Sequence, residues 1–124
     1  MRTVEIPREE WGRRLEEFSA IHEKWLVSLD VLGPDIGAQR EINSVPLLGI
    51  SADDDNGGGT IFVSAGRSIG DHITRTIHRA TRVFIERTDE GADAALQVES
   101  ADGTSTILRF RAAALPETVD GMPR

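Results

Sequence analysis

The sequence predicts a mainly β domain, α+β by strict count, with one amphipathic helix followed by an antiparallel meander of about seven or eight short strands. Three observations carry that expectation. Helix-period spacing of apolar residues is confined to about residues 7–21, and period-two alternation takes over from about residue 24. The connections between the alternating runs are short and rich in Gly, Asp, Asn and Pro, and short connections require antiparallel neighbours. A meander this long curls into a sheet or small barrel to remove its edges. The whole of 1–124 reads as a single domain, long enough to bury a core, with a loose tail over 112–124.

Pro7 suits the first turn of the helix, and Glu9 and Glu10 follow where the N-terminal dipole favours acids. Trp11, Leu15, Phe18 and His22 then fall on one stripe. Trp25, Val27, Leu29 and Val31 alternate with Lys24, Ser28 and Asp30 as a half-buried strand. Gly33-Pro34-Asp35 turns the chain into a short strand at Gly37–Ile42, which Asn43-Ser44 ends. Val45–Ala52 is read as a separate strand, with Pro46 implying an edge or a strand start. An acidic loop, Asp53 to Gly59, leads to a strand at Thr60–Ser64. Gly66–Asp71 then connects to His72–Ile77, where Arg75 points with Ile73 and Ile77.

Residues 81–111 read as three strands whose register follows from the letters. A two-residue Asp102-Gly103 loop would set Leu96 opposite Arg109 and mix both faces. A three-residue loop, Ala101-Asp102-Gly103, with Gly103 left-handed, pairs Leu96 with Leu108, Val98 with Thr106 and Ala94 with Phe110. Upstream, the Asp89–Ala92 loop places Ile85 opposite Leu96 and Val83 opposite Val98. The second face carries Arg82, Glu86, Glu99 and Arg109, with an apolar row of Phe84 and Ile107. That row needs a cover, and Trp11, Leu15 and Phe18 of the helix are the expected one.

Composition narrows the function classes. With no Cys there are no disulfides, thiol nucleophiles or thiolate metal sites. A net charge of −7 and a pI near 4.9 argue against a protein that grips nucleic acid. No apolar run approaches membrane-spanning length and the N-terminal stretch does not read as a signal peptide, so no membrane partner and a cytoplasmic location are expected.

Several stretches resemble a family: Glu-Ile-Pro-Arg-Glu-Glu-Trp at 5–11, Trp-Leu-Val-Ser-Leu-Asp-Val-Leu-Gly-Pro-Asp-Ile-Gly-Ala at 25–38, and Pro-Leu-Leu-Gly-Ile-Ser-Ala-Asp at 46–53. Asp-His-Ile-Thr-Arg-Thr-Ile at 71–77 and Glu-Ser-Ala-Asp-Gly-Thr at 99–104 extend it over nearly the whole chain. The sequence resembles a small bacterial family classed only as a domain of unknown function. That resemblance implies a bacterial source and a free-standing small protein, and brings no activity, cofactor or site.

The motifs that suggest chemistry mostly fail on spacing. An EF-hand begun at Asp53 has Gly58 at position six, but Ser64 stands where the bidentate Glu belongs. His72 and His78 lie about 20 Å apart on a straight strand, and neither forms a metal spacing with His22. No serine sits in a nucleophile elbow, and Gly66-Arg-Ser-Ile-Gly70 is too short for a phosphate loop. No metal, cofactor or catalytic residue is therefore assigned. One segment stands out: Arg67, Arg75, Arg79 and Arg82, with His72 and His78, against the single Asp71. Guanidinium groups recognise carboxylates and phosphates, although they also serve to balance acid-rich loops. The first reading is a non-catalytic binding or interaction module that self-associates or meets another protein. The alternative is a binder of small anions or carboxylated metabolites through Arg67–Arg82, and an enzyme of unrecognised type comes third.

Overall fold

A computed structural model describes residues 2–53, 59–68 and 70–111. The strands are β1 (Arg2–Ile6), β2 (Leu26–Gly33), β3 (Gly37–Asp53), β4 (Gly59–Ser68), β5 (Asp71–Arg87), β6 (Asp93–Ser100) and β7 (Ser105–Arg111). A 3₁₀ turn at Arg8–Glu10 runs into the helix α1 (Trp11–Ile21). Strands β2 to β7 are paired antiparallel in chain order, and β7 returns to β2 to close a six-stranded barrel. β1 adds to the outside edge of β5, from Arg2 opposite Arg87 to Ile6 opposite Val83. The alternation of Val4 and Ile6 with charged Glu5 is a strand signal that the helix reading of the N-terminus left unused.

The expected register of the last three strands is observed. Ile85 faces Leu96, Val83 faces Val98, Leu96 faces Leu108 and Val98 faces Thr106. Gly103 has φ +91°, its N–H donates to the Ser100 carbonyl at 3.1 Å, and the Ser100 N–H donates to the Thr104 carbonyl at 2.9 Å. Only a three-residue loop with a left-handed third position gives that pattern.

Two breaks expected from the sequence are bulges instead. Gly37–Ile42 and Val45–Ala52 form one 17-residue strand, because Ser44 sits at φ +55° as an extra residue opposite Ser28. Its N–H donates to Ser28 Oγ at 3.0 Å, so the ladder is bridged and not broken. The extra residue also keeps Ile42, Val45 and Leu47 on one face, which strict alternation would have split. β5 does the same twice, with Arg79 at φ +54° and a second register shift at Thr81. Ile77, Ala80, Val83 and Ile85 thereby all face inward.

The core is the inside of the barrel, filled by Val27, Leu29, Ile42, Ile50, Ile61, Val63, Leu96, Val98 and Leu108 with the residues of β5 just named. α1 lies across one end of it. Phe18 packs edge-on against inward-facing Phe110 of β7 with ring centres 5.0 Å apart, and Ser19 Oγ accepts the Ile50 N–H of β3 at 3.0 Å. Trp11 sits against Gly59, where a Cβ would come within 2.5 Å of the indole. Contacts to β7, β3 and β4 make the helix a plug. Its indole Nε1–H donates to the Ile6 carbonyl at 3.0 Å, tying β1 to the plug.

This corrects the expected packing of the helix. Trp11, Leu15 and Phe18 are buried, but among the inward residues; Phe84 and Ile107 lie on the outer surface. Phe84 is opposite Glu5 of β1 and lies under the Arg82 guanidinium, 4.9 Å from the ring centre. Ile107 sits beside Leu32, Pro34 and Gln97. The outer apolar row is thus covered by side chains from neighbouring strands and turns, while the helix stripe fills the barrel end. The acidic loop, apart from Asp53 and Gly59, and the tail 112–124 lie outside the described residues.

Candidate functional site

With one end plugged, the opposite end of the barrel is where side chains meet solvent. There the inward positions of β2, β5 and β7 run out into a hollow of about 260 Å³. Leu29, Val31 and Ile77 supply its apolar walls, and Thr106 is a buried hydroxyl among them. Glu41, Arg75, His78, Ser100, Asp102 and Thr104 supply the polar rim.

Each rim group is placed by a local feature of the chain. Glu41 is an extra residue in β3: Leu29 pairs with Ile42 and Asp30 with Arg40, so Glu41 has no cross-strand partner. Freed from the ladder, it meets Arg75 Nε at 3.1 Å, with both side chains partly exposed. Arg75 is held inward by its pairing with Val63, as the parity with Ile73 and Ile77 requires. Asp102 occupies the β6–β7 turn, where its Oδ1 accepts the Thr104 N–H at 2.9 Å. That backbone bond, with the Thr104 hydroxyl and more weakly Arg79, holds the Asp102 carboxyl below the usual carboxylate range. Asp102 and His78 also line an adjoining hollow with Thr60 and Arg79.

The four arginines singled out in the sequence therefore do not converge. Arg75 lines the mouth and Arg79 lies beside it. Arg67 is in a separate, smaller hollow with Val45, His72 and Ile73. Arg82 is on the outer face, hydrogen-bonded to Glu5 at 3.2 and 3.3 Å, and those bonds hold it in its charged form. Parity along one strand could not foresee this, because the bulges at Arg79 and Thr81 re-aim everything after residue 78. Glu41, Asp102, Thr104 and Thr106 were missed. Glu41 has no parity signal because it is a bulge, whereas Thr106 was already paired correctly with Val98.

His22 is a core residue. Its ring centre lies 4.3 Å from that of Phe18, tilted, and 4.6 Å from that of Trp25, edge-on; its Nδ1 is 2.7 Å from the Phe18 carbonyl, and Nε2 faces Asp93 at 3.4 Å. A carbonyl can only accept, so Nδ1 carries a proton. Among the described residues no three of His, Asp and Glu gather as a metal site would require, and no helix is long and apolar enough to cross a membrane.

Residues 2–118, the barrel from β1 to β7 and beyond, match the model of DUF5335, a family of unknown function. The chain belongs to that family. It is 32% identical over 118 residues to an uncharacterized protein of Aquifex aeolicus (strain VF5), covering 94% of this chain and 100% of that relative. No solved structure matches it. The DUF5335 match begins at β1 and takes in the plug, the barrel and both sides of the mouth.

In chemical terms the mouth offers a guanidinium and a carboxylate side by side, a second carboxylate from Asp102, hydroxyls from Ser100, Thr104 and Thr106, and an apolar wall. A simple anion approaching Arg75 meets Glu41 as a competitor. A compound bearing both a carboxylate and a positive or donor group satisfies both partners of the pair.

Proposed function

We propose that this DUF5335 protein is a non-catalytic small-ligand-binding barrel whose mouth takes a carboxylated compound that also carries an ammonium or amide donor, as a free amino acid does. The observation that carries the reading is the Glu41–Arg75 pair set over Leu29, Val31 and Ile77 at the barrel's unplugged end. Apolar walls with a few convergent polar groups are the usual make-up of small-molecule sites. The hollow is amino-acid sized, so a short apolar side chain would lie on Val31 and Ile77 while the charged head meets the pair. Compared with the expectation of four arginines gripping an anion, the ligand here meets the carboxylates of Glu41 and Asp102 as well as Arg75, and must supply both signs.

The test is calorimetric titration at low ionic strength with three probes of matched length: norleucine, hexanoate and hexylamine. Norleucine should bind with a Kd of about 1 mM or better, and the other two at least tenfold more weakly. Glu41→Gln should reduce that preference over hexanoate, and Arg75→Gln should abolish norleucine binding. Equal binding of all three probes, or binding unaffected by both substitutions, would remove the mouth as the site.

A further inference from the structure

The bulge at Arg79 builds a second hollow beside the mouth. Ile61 pairs with Ile77 and Gly59 with Ala80, so the single residue Thr60 stands opposite two, His78 and Arg79. Successive side chains on a regular strand point to opposite faces. With Arg79 at φ +54°, His78 and Arg79 instead line one hollow of about 400 Å³ together with Thr60. Asp102 reaches it from the β6–β7 turn, which is held there by the Ala101 N–H donating to the Arg79 carbonyl at 2.9 Å. A left-handed arginine is a strained backbone that the surrounding structure has to enforce, and such residues gather where ligands are held. His78 and Asp102 also line the mouth, so the two hollows adjoin.

Charge in this second hollow is arranged differently from charge in the mouth. Among the described residues Arg79 forms no ion pair, and its exposed guanidinium acts on Asp102 through space. Asp102 is already engaged by its own turn, where Oδ1 accepts the Thr104 N–H at 2.9 Å. The group left open to a ligand is therefore the cationic one, with the Thr60 hydroxyl and a His78 ring nitrogen as further donors. We infer that this hollow takes a carboxylate at the far end of the ligand whose head occupies the mouth. The inference rests on the reading of the mouth as an amino-acid site and narrows its ligand to a dicarboxylic amino acid. The head meets Glu41 and Arg75, the methylenes cross Ile77, and the distal carboxylate passes His78 to reach Arg79. Arg75 and Arg79 stand four residues apart, roughly 13 Å on a straight strand, and two long side-chain stems shorten that span from both ends. A distal ammonium would meet Arg79 as a like charge, with only the engaged Asp102 to receive it.

Calorimetric titration of the full chain at low ionic strength with 2-aminoadipate, norleucine and lysine tests the inference. The three share a six-carbon chain that ends in a carboxylate, a methyl group and an ammonium respectively. 2-Aminoadipate should bind about fivefold more tightly than norleucine, the upper range for a solvent-exposed charge pair, and lysine no more tightly than norleucine. That advantage should shrink in about 0.5 M salt, where exposed charges are screened. Arg79→Gly keeps the left-handed backbone, which glycine adopts freely, and removes the guanidinium. With an unchanged circular dichroism spectrum, it should bind 2-aminoadipate no more tightly than norleucine. Equal binding of 2-aminoadipate and norleucine by the wild type, tighter binding of lysine than of norleucine, or a preference that survives Arg79→Gly overturns the inference and leaves the mouth in place. Binding of none of the three overturns the reading of the mouth and this inference together.

Discussion

Gly103 shows how much of a barrel can rest on a single backbone angle. At φ +91° any side chain is strained, although a Cβ there would meet only Pro34 at an ordinary 3.6 Å. Gly103→Val should therefore destabilise by about 1–2 kcal/mol through strain and not through a clash, as a urea melt would read. Asp30 makes a different single-residue case. It accepts Arg40 Nε at 2.8 Å, Arg40 Nη2 at 3.1 Å and Arg109 Nη1 at 2.6 Å, joining β2, β3 and β7. The Arg40 hydrogen bonds hold its carboxyl below the ordinary carboxylate range, against the opposing pull of partial burial, with Arg109 adding to the lowering. A depressed folded pKa stabilises above the unfolded value and loses that contribution as pH falls through the folded one. Asp30→Asn should then be less stable than wild type at pH 7, with the gap closing below about pH 4. A gap that stays constant from pH 7 to pH 2 would mean the carboxylate charge is not what the substitution removes.

At the level of elements, α1 is defined by what it plugs. Phe18 sits among Phe110, His22 and the core with 5% of its surface exposed, so Phe18→Ala should cost about 3 kcal/mol or more in a chemical melt. A loss below about 1 kcal/mol would show that the helix does not seal the barrel. The helix stripe and the last three strands were legible in the sequence because each follows one unbroken period. β3 and β5 were not, since a bulge inserts a residue and the alternation on its two sides no longer agrees. Ser44 and Arg79 look like ordinary polar residues in a row of letters; only the ladder around them shows left-handed backbone. The cover of the Phe84 and Ile107 row was misassigned for a related reason. A helix stripe and an apolar row can be matched by composition, but which side of the sheet the helix lies on is decided by connections. Here β1 precedes α1 and occupies the outer edge of β5.

At the scale of the molecule, closure was foreseen as one of two outcomes and the plugged end was not. The mouth was legible only in part. Arg75 was placed with Ile73 and Ile77 by parity, but its partner Glu41 sits in a bulge 34 positions earlier and carries no sequence signal. Binding sites on barrels gather residues from strands that are distant in sequence, so a local cluster such as Arg67 to Arg82 is a poor guide to one.

Closure has a consequence for how the chain is made. Asp30 meets Arg109 across 79 residues of sequence, and Glu5 meets Arg82 across 77. Neither contact exists until most of the chain has left the ribosome. At roughly 5–20 residues per second, β2 waits on the order of ten seconds for β7. During that time its apolar row, Val27 and Leu29, has β3 on one side and nothing on the other. Contacts this distant also slow folding in the free protein, placing it with the millisecond-to-second folders rather than the fast helical domains. The nascent chain thus passes through a stage in which an unfinished barrel is exposed to its neighbours on the same messenger.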